Sequence, residues 1–98
     1  MATITYPFDT KKLIEICQQN DVRQVGVFGS MARGEATERS DVDLIVEFSK
    51  RKSLLALVAF ERQLSAAIGR KVDVLTEAAL SPYLRGRILS ELKIIYEA

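Results

Sequence analysis

Two aspartates one residue apart open the chemical case in this chain, within Asp41-Val42-Asp43-Leu44-Ile45-Val46-Glu47-Phe48. Alternate residues of a β-strand face opposite ways. Val42, Leu44, Val46 and Phe48 then point to a core, and Asp41 and Asp43 point together to the other face. Carboxylates at i and i+2 lie roughly 7 Å apart at the backbone, so their tips can share a divalent cation. Val72-Asp73-Val74-Leu75 repeats the pattern, with Asp73 and Leu75 opposite the two valines. If the two strands are neighbours, Asp41, Asp43 and Asp73 converge on one open face. There they repel one another unless a cation neutralises them. An all-oxygen set suits Mg²⁺ or Mn²⁺ rather than zinc.

Gly29-Ser30 follows an apolar run and opens a helix. Glycine lets the backbone turn sharply and come close to a ligand. Ser30 can cap the helix and donate its hydroxyl, and free amides at a helix start favour phosphate. The turn is not a Walker A loop, because no Gly-Lys-Ser/Thr follows. Gly26, Gly29 and Gly34 also miss the dinucleotide spacing. Each feature alone is weak, since Asp-x-Asp commonly marks a solvated strand end and Gly-Ser makes any tight connection. Their combination carries the signal.

The elements that must position these residues are legible in the apolar pattern. Asp9 or Thr10 caps a helix from about Thr10 to Gln19, with Leu13, Ile14 and Cys17 on one face. Val22 to Phe28 reads as a strand, and a short helix runs from Ser30 to near Gly34. Glu35 to Ser40 is a polar loop before the strand Val42 to Phe48. Ser53 caps a long helix to about Ile68, with an inner stripe of Leu54, Leu57/Val58, Leu64 and Ile68, ended by Gly69. Lys71 to Thr76 forms a third strand, and Ser81-Pro82 starts a last helix. Leu92 to Tyr96 suits either helix or strand. The order predicts a small α/β (α+β) fold, a mixed sheet with helices packed on one face, as a single domain over residues 1–98.

Composition narrows the function. The chain has 98 residues, 14 Lys plus Arg against 13 Asp plus Glu, and no His. A net charge of +1 gives no electrostatic footprint for stand-alone DNA or RNA binding. The absence of His removes His-based acid–base catalysis and His-ligated zinc. A single cysteine, Cys17, removes disulfides and Cys-cluster metal sites, and reads as a small core residue. The longest apolar run, Leu54 to Phe60, is far too short to span a membrane. With no signal core in Met-Ala-Thr-Ile-Thr-Tyr, the expected location is the cytoplasm.

The run Gly29-Ser30-Met31-Ala32-Arg33-Gly34 … Ser40-Asp41-Val42-Asp43-Leu44 resembles the signature of the DNA polymerase β-like nucleotidyltransferase superfamily. Within it, Ala-Arg-Gly and Ser-Asp-x-Asp-Leu resemble the minimal nucleotidyltransferase (MNT) branch. The likeness is close from Val22 to Thr76 and looser to the C-terminus. It implies that Gly29 and Ser30 hold the β- and γ-phosphates of ATP or another nucleoside triphosphate. Asp41 and Asp43 would bind two Mg²⁺ ions (or Mn²⁺), with Asp73 completing the metal site and drawing the proton from the attacking hydroxyl. The resemblance also implies a partner, because MNT proteins pair with HEPN-domain toxins as antitoxins and can adenylylate them. The expected function is transfer of AMP from ATP to a hydroxyl of a partner protein. The alternative is a non-catalytic antitoxin of the same fold that acts by contact.

Arg33, one turn past Ser30, could reach a phosphate oxygen, whereas Arg70 and Lys71 read as surface charges. Nothing in the chain remains to grip an acceptor, so a partner or second subunit must present it. The start of the long helix agrees, since Leu54 to Phe60 is apolar all round and must leave Leu55, Ala59 or Phe60 outward. An exposed apolar patch usually marks an interface, here for a homodimer or a different protein.

Overall fold

The computed structural model describes residues 6–37 and 39–98. The Met1–Thr5 segment, read above as lacking a signal core, and position 38 of the polar loop lie outside the described residues.

Helix α1 spans Thr10–Gln19 and is capped by Asp9, whose carboxylate accepts from the Lys12 amide at 3.1 Å. Asn20 ends it, its side chain donating to the Ile16 carbonyl at 2.7 Å. Asp21 then takes a left-handed φ of 60°, steadied by Lys52 Nζ at 2.7 Å, and strand β1 follows over Val22–Phe28. Helix α2 is a single turn, Ser30–Arg33, and strand β2 covers Val42–Phe48. Helix α3 spans Leu54–Ile68, with the Ser53 hydroxyl accepting from the Ala56 amide and Gly69 closing it at a φ of 75°. Strand β3 (Val72–Leu75) leads through a single 3₁₀ turn to α4 (Pro82–Glu91) and strand β4 (Lys93–Glu97). The chain end that suited helix or strand is therefore a strand.

The sheet runs β3-β2-β1-β4. β1 lies antiparallel to β2 and to β4, whereas β3 lies parallel to β2 through the α3 crossover. Central strands β1 and β2 carry the most apolar sequence because both their edges and one face are covered. Helices α1 and α3 pack on that face. Its core comprises Leu13, Ile16 and Cys17 of α1, Phe60 and Leu64 of α3, and Val25, Val27, Val42, Leu44, Val46 and Val72 of the sheet. Burial of each such side chain contributes about 1.5–3 kcal/mol. Phe48 meets Phe60 edge to face at 5.6 Å between ring centres. The same burial pushes the Cys17 thiol up to about 12, in keeping with a core role.

Two helical stripes differ from expectation. On α1 the buried face uses Ile16 with Leu13 and Cys17, and Ile14 is only half-buried. On α3 Leu54 is 76% exposed rather than inward, and Phe60, an outward candidate, is 2% exposed. The first turn of α3 is exposed, so its inner stripe begins with half-buried Leu57 and continues through Phe60 and Leu64. Leu55, at 82% exposed, does face outward as anticipated.

Strand β3 is an edge, and α3 shields its free amides. The Val72 N–H donates to Ser65 Oγ and the Val74 N–H to Glu61 Oε2, both at 3.0 Å. Side chains one turn apart on α3 thus supply the partners that a fifth strand would otherwise give. Among the described residues no helix is long and apolar enough to cross a membrane.

Candidate active site

The register of the sheet assembles the site. Asp43 lies opposite Phe28 of β1 on one side and Asp73 of β3 on the other. Gly29 comes directly after Phe28, so the β1–α2 turn lies beside the Asp43 carboxylate. A Cβ placed on Gly29 would stand 2.9 Å from Asp43 Oδ2. The Gly29 backbone, at φ 72° and ψ −147°, lies where side chains are strongly disfavoured. The conformation therefore selects glycine here, and any side chain would also have to displace the Asp43 carboxylate. The following turn is closed by the Arg33 amide on the Gly29 carbonyl at 3.1 Å and the Glu35 amide on the Ser30 carbonyl at 3.0 Å.

Asp43 senses its acidic neighbours. Asp43 is half-buried, and its carboxyl is held above the ordinary range first by burial, then by the charges of Asp73 and Asp41. The Lys71 ammonium acts in the opposite sense. Asp41 is exposed and Asp73 half-buried. Among the described residues no three such side chains are gathered into a set that could hold a metal ion as they stand. The three aspartates thus share a face and a field without being closed up as ligands.

Arg33 is turned to protein carboxylates. Its Nε meets Glu35 and its Nη1 meets Glu91 at the end of α4, both at 3.1 Å. A cavity of about 380 Å³ opens along the strands beyond Asp43, between the sheet and the last elements. Ile45 and Glu47 line its floor, Thr76 and Glu77 one wall, and Leu89 and Leu92 the other.

Residues 11–98 match the family model described as polymerase beta, nucleotidyltransferase. The chain belongs to that nucleotidyltransferase family. The matched span contains Gly29, Ser30, Asp41, Asp43 and Asp73. The chain is 44% identical over 81 residues to a Methanocaldococcus jannaschii protein named, by inference, a protein adenylyltransferase, covering 83% of this chain and 87% of that one. It is 40% identical over 78 residues to the protein adenylyltransferase MntA of Thermococcus cleftensis, covering 80% and 79%. The fold is similar to that in a structure of the tri-AMPylated Shewanella oneidensis HEPN toxin in complex with MNT antitoxin. That likeness has a TM-score of 0.71 at 19% identity and covers 91% of this chain and 70% of the other. The expected membership in the polymerase β-like superfamily and its MNT branch, and the enzyme class of transferase, therefore hold.

The residue that sequence reasoning misjudged in this nucleotidyltransferase is Arg70. It is half-buried rather than a free surface charge, and its Nη1 donates to the Thr37 carbonyl at 2.8 Å and the Ser40 carbonyl at 3.1 Å. Its partners are main-chain atoms thirty or more positions away, so no local pattern could have announced them. Glu91, the partner of Arg33, was missed for the same reason.

Proposed function

We propose that the chain is a single minimal nucleotidyltransferase domain that transfers AMP from ATP to a hydroxyl of a partner protein in the cytoplasm. The observation that carries this reading is the fit of Gly29 against Asp43. A turn whose backbone conformation favours glycine lies beside a carboxylate that has Asp73 as its neighbour on the next strand and Asp41 two residues before it on its own. A phosphate-binding turn beside an acidic triad is what a metal-dependent attack on a nucleotide phosphate requires.

The donor set fits divalent metal. Asp41, Asp43 and Asp73 offer only oxygens, suited to Mg²⁺ or Mn²⁺, and their mutual repulsion is a cost that cations would remove. When bound, two such ions supply charge neutralisation at the phosphates and at the attacking oxygen. The chain's own residues do the rest. The turn at Gly29 and the Ser30 hydroxyl receive the outer phosphates. Asp73 accepts the proton of the acceptor hydroxyl, whose oxygen bonds to the α-phosphorus as the bond to the β-phosphate bridge breaks and pyrophosphate leaves. Arg33 turns from Glu91 to a phosphate oxygen.

The acceptor is a HEPN-type toxin, for which the chain serves as antitoxin. The HEPN toxin and MNT antitoxin of the structural neighbour support this assignment, and the names of the relatives support adenylyl transfer to a protein. A second reading, neutralisation by contact alone, draws on the exposed Leu54 and Leu55 at the start of α3, a patch equally suited to a homodimer.

ATP labelled at the α-phosphate or at the γ-phosphate separates these readings. Each is incubated with the protein, Mg²⁺ and host lysate, with Asp43→Asn as control. Label from the α sample only, lost in the variant, supports transfer, and the labelled band gives the acceptor. Label from neither sample, with a partner that still co-purifies, overturns transfer in favour of contact.

A further inference from the structure

Asp41 enters the site at the end of an irregular loop, and it is the most exposed of the three aspartates. Something must hold its backbone if its carboxylate is to meet the other two. The loop closes on itself through Thr37 and Ser40. The Ser40 amide donates to the Thr37 carbonyl at 3.1 Å, and the Thr37 amide donates to Ser40 Oγ at 2.8 Å. This closed turn is then tied to the body of the protein by one side chain, Arg70, on both carbonyls. Immediately after Asp41, the Val42 amide donates to the Lys71 carbonyl at 2.9 Å. The dipeptide Arg70-Lys71 therefore brackets Asp41, by a guanidinium on the residue before it and by a main-chain carbonyl on the residue after it.

We infer that Arg70 is a positioning residue for the Asp41 carboxylate, setting the affinity of the site for divalent metal without touching metal or nucleotide. The inference rests on the metal-site reading given above. Its physical basis is that charged donors make the stronger hydrogen bonds and that a guanidinium offers several N–H groups in a rigid plane. One such group on two carbonyls restrains the turn against rotation about either peptide. Arg70 itself follows Gly69, whose left-handed φ of 75° ends α3 and turns the chain into β3. Loss of a group that orients a metal ligand typically lowers metal affinity about 10- to 100-fold.

The test is Mn²⁺ binding to the full chain, read by loss of the free-ion electron paramagnetic resonance signal, with α,β-methylene ATP present so that no transfer occurs. Asp41→Asn should weaken binding. Arg70→Ala should weaken it about 10- to 100-fold, while amide hydrogen exchange rises at Asp41 and not in the core strands. Arg70→Lys keeps a cationic donor and should restore most of the affinity, with Arg70→Gln between Lys and Ala. If Arg70→Ala fails to fold, the order of Lys above Gln in Mn²⁺ affinity still supports the role, and equal, wild-type affinities overturn it. Folded Arg70→Ala with wild-type Mn²⁺ affinity, beside a weakened Asp41→Asn, overturns the positioning role and leaves the metal site standing. Wild-type affinity in Asp41→Asn overturns both.

Discussion

Strand β2 has two faces that differ in almost every physical respect. On one, Val42, Leu44 and Val46 are 0–1% exposed and packed against α1 and α3. On the other, Asp41, Asp43 and Glu47 stand open or half-open, with an apolar residue returning only at Ile45 over the cavity. The first face gains free energy by leaving water. The second loses some, because Asp43 is partly desolvated beside two like charges. A protein of this size has little stability to spare, so the strained face is tolerated because the packed face is complete. Core packing and acidic charge are thus carried by alternate residues of a single strand, and on the proposed function stability and activity should be separable by mutation.

The sharpest way to break that separation is to cross two adjacent positions. Asp43→Ala should abolish nucleotidyl transfer while equilibrium unfolding in urea shows stability unchanged or raised. Leu44→Ala should cost about 2–5 kcal/mol by the same measurement, through lost burial and the cavity left behind. Its folded fraction should retain transfer per molecule. An inactive Leu44→Ala under conditions where it is fully folded would mean that the two faces are coupled after all.

A finer test uses pH. The carboxyl of Asp43 is raised in the folded state, so folded protein holds this proton more tightly than unfolded chain. Its contribution to stability is therefore unfavourable above the folded value, shrinks as pH falls, and vanishes below the ordinary aspartate value of 3.8. Asp43→Asn should melt higher than the wild type at pH 7, and the difference should close as pH drops toward that value. A constant difference across the range would mean that packing of the amide, rather than relief of charge, sets the gain.

The contrast also explains what was legible beforehand. Period-two alternation in β2 and β3 separates core from site directly, and caps such as Asp9, Ser53 and Gly69 mark helix ends with residues chosen for that geometry. The placement of the three aspartates on strand faces turned from the core and of the glycine turn after β1 was therefore readable in advance, as was the order of elements as far as α4. What escaped depends on contacts distant in sequence. Arg70 reaches two carbonyls in another loop. Strand β4 exists because β1 offers it an edge, with Val27 opposite Lys93. On α3, Leu57, Leu64 and Ile68 face inward as expected, but Leu54 and Phe60 were put on the wrong sides, because Leu54 to Phe60 is apolar on every side and leaves helical periodicity without a phase.

That same stretch carries the smallest expected effect on the isolated protein and the most informative one on a complex. Leu55 is 82% exposed and contributes little burial, so Leu55→Ser should change stability by no more than about 0.5 kcal/mol. Nor does it lie on the carboxylate face, so turnover on a small hydroxyl acceptor should be unaltered. If the exposed first turn of α3 is where a partner protein seats, affinity for that partner should fall by about tenfold or more, since a few central contacts carry most of an interface's energy. Transfer to the partner should then fall through a raised KM, with kcat kept. Unchanged affinity would place the partner's contact elsewhere, on the cavity side of the sheet, where Leu89 and Leu92 stand beside the acidic face.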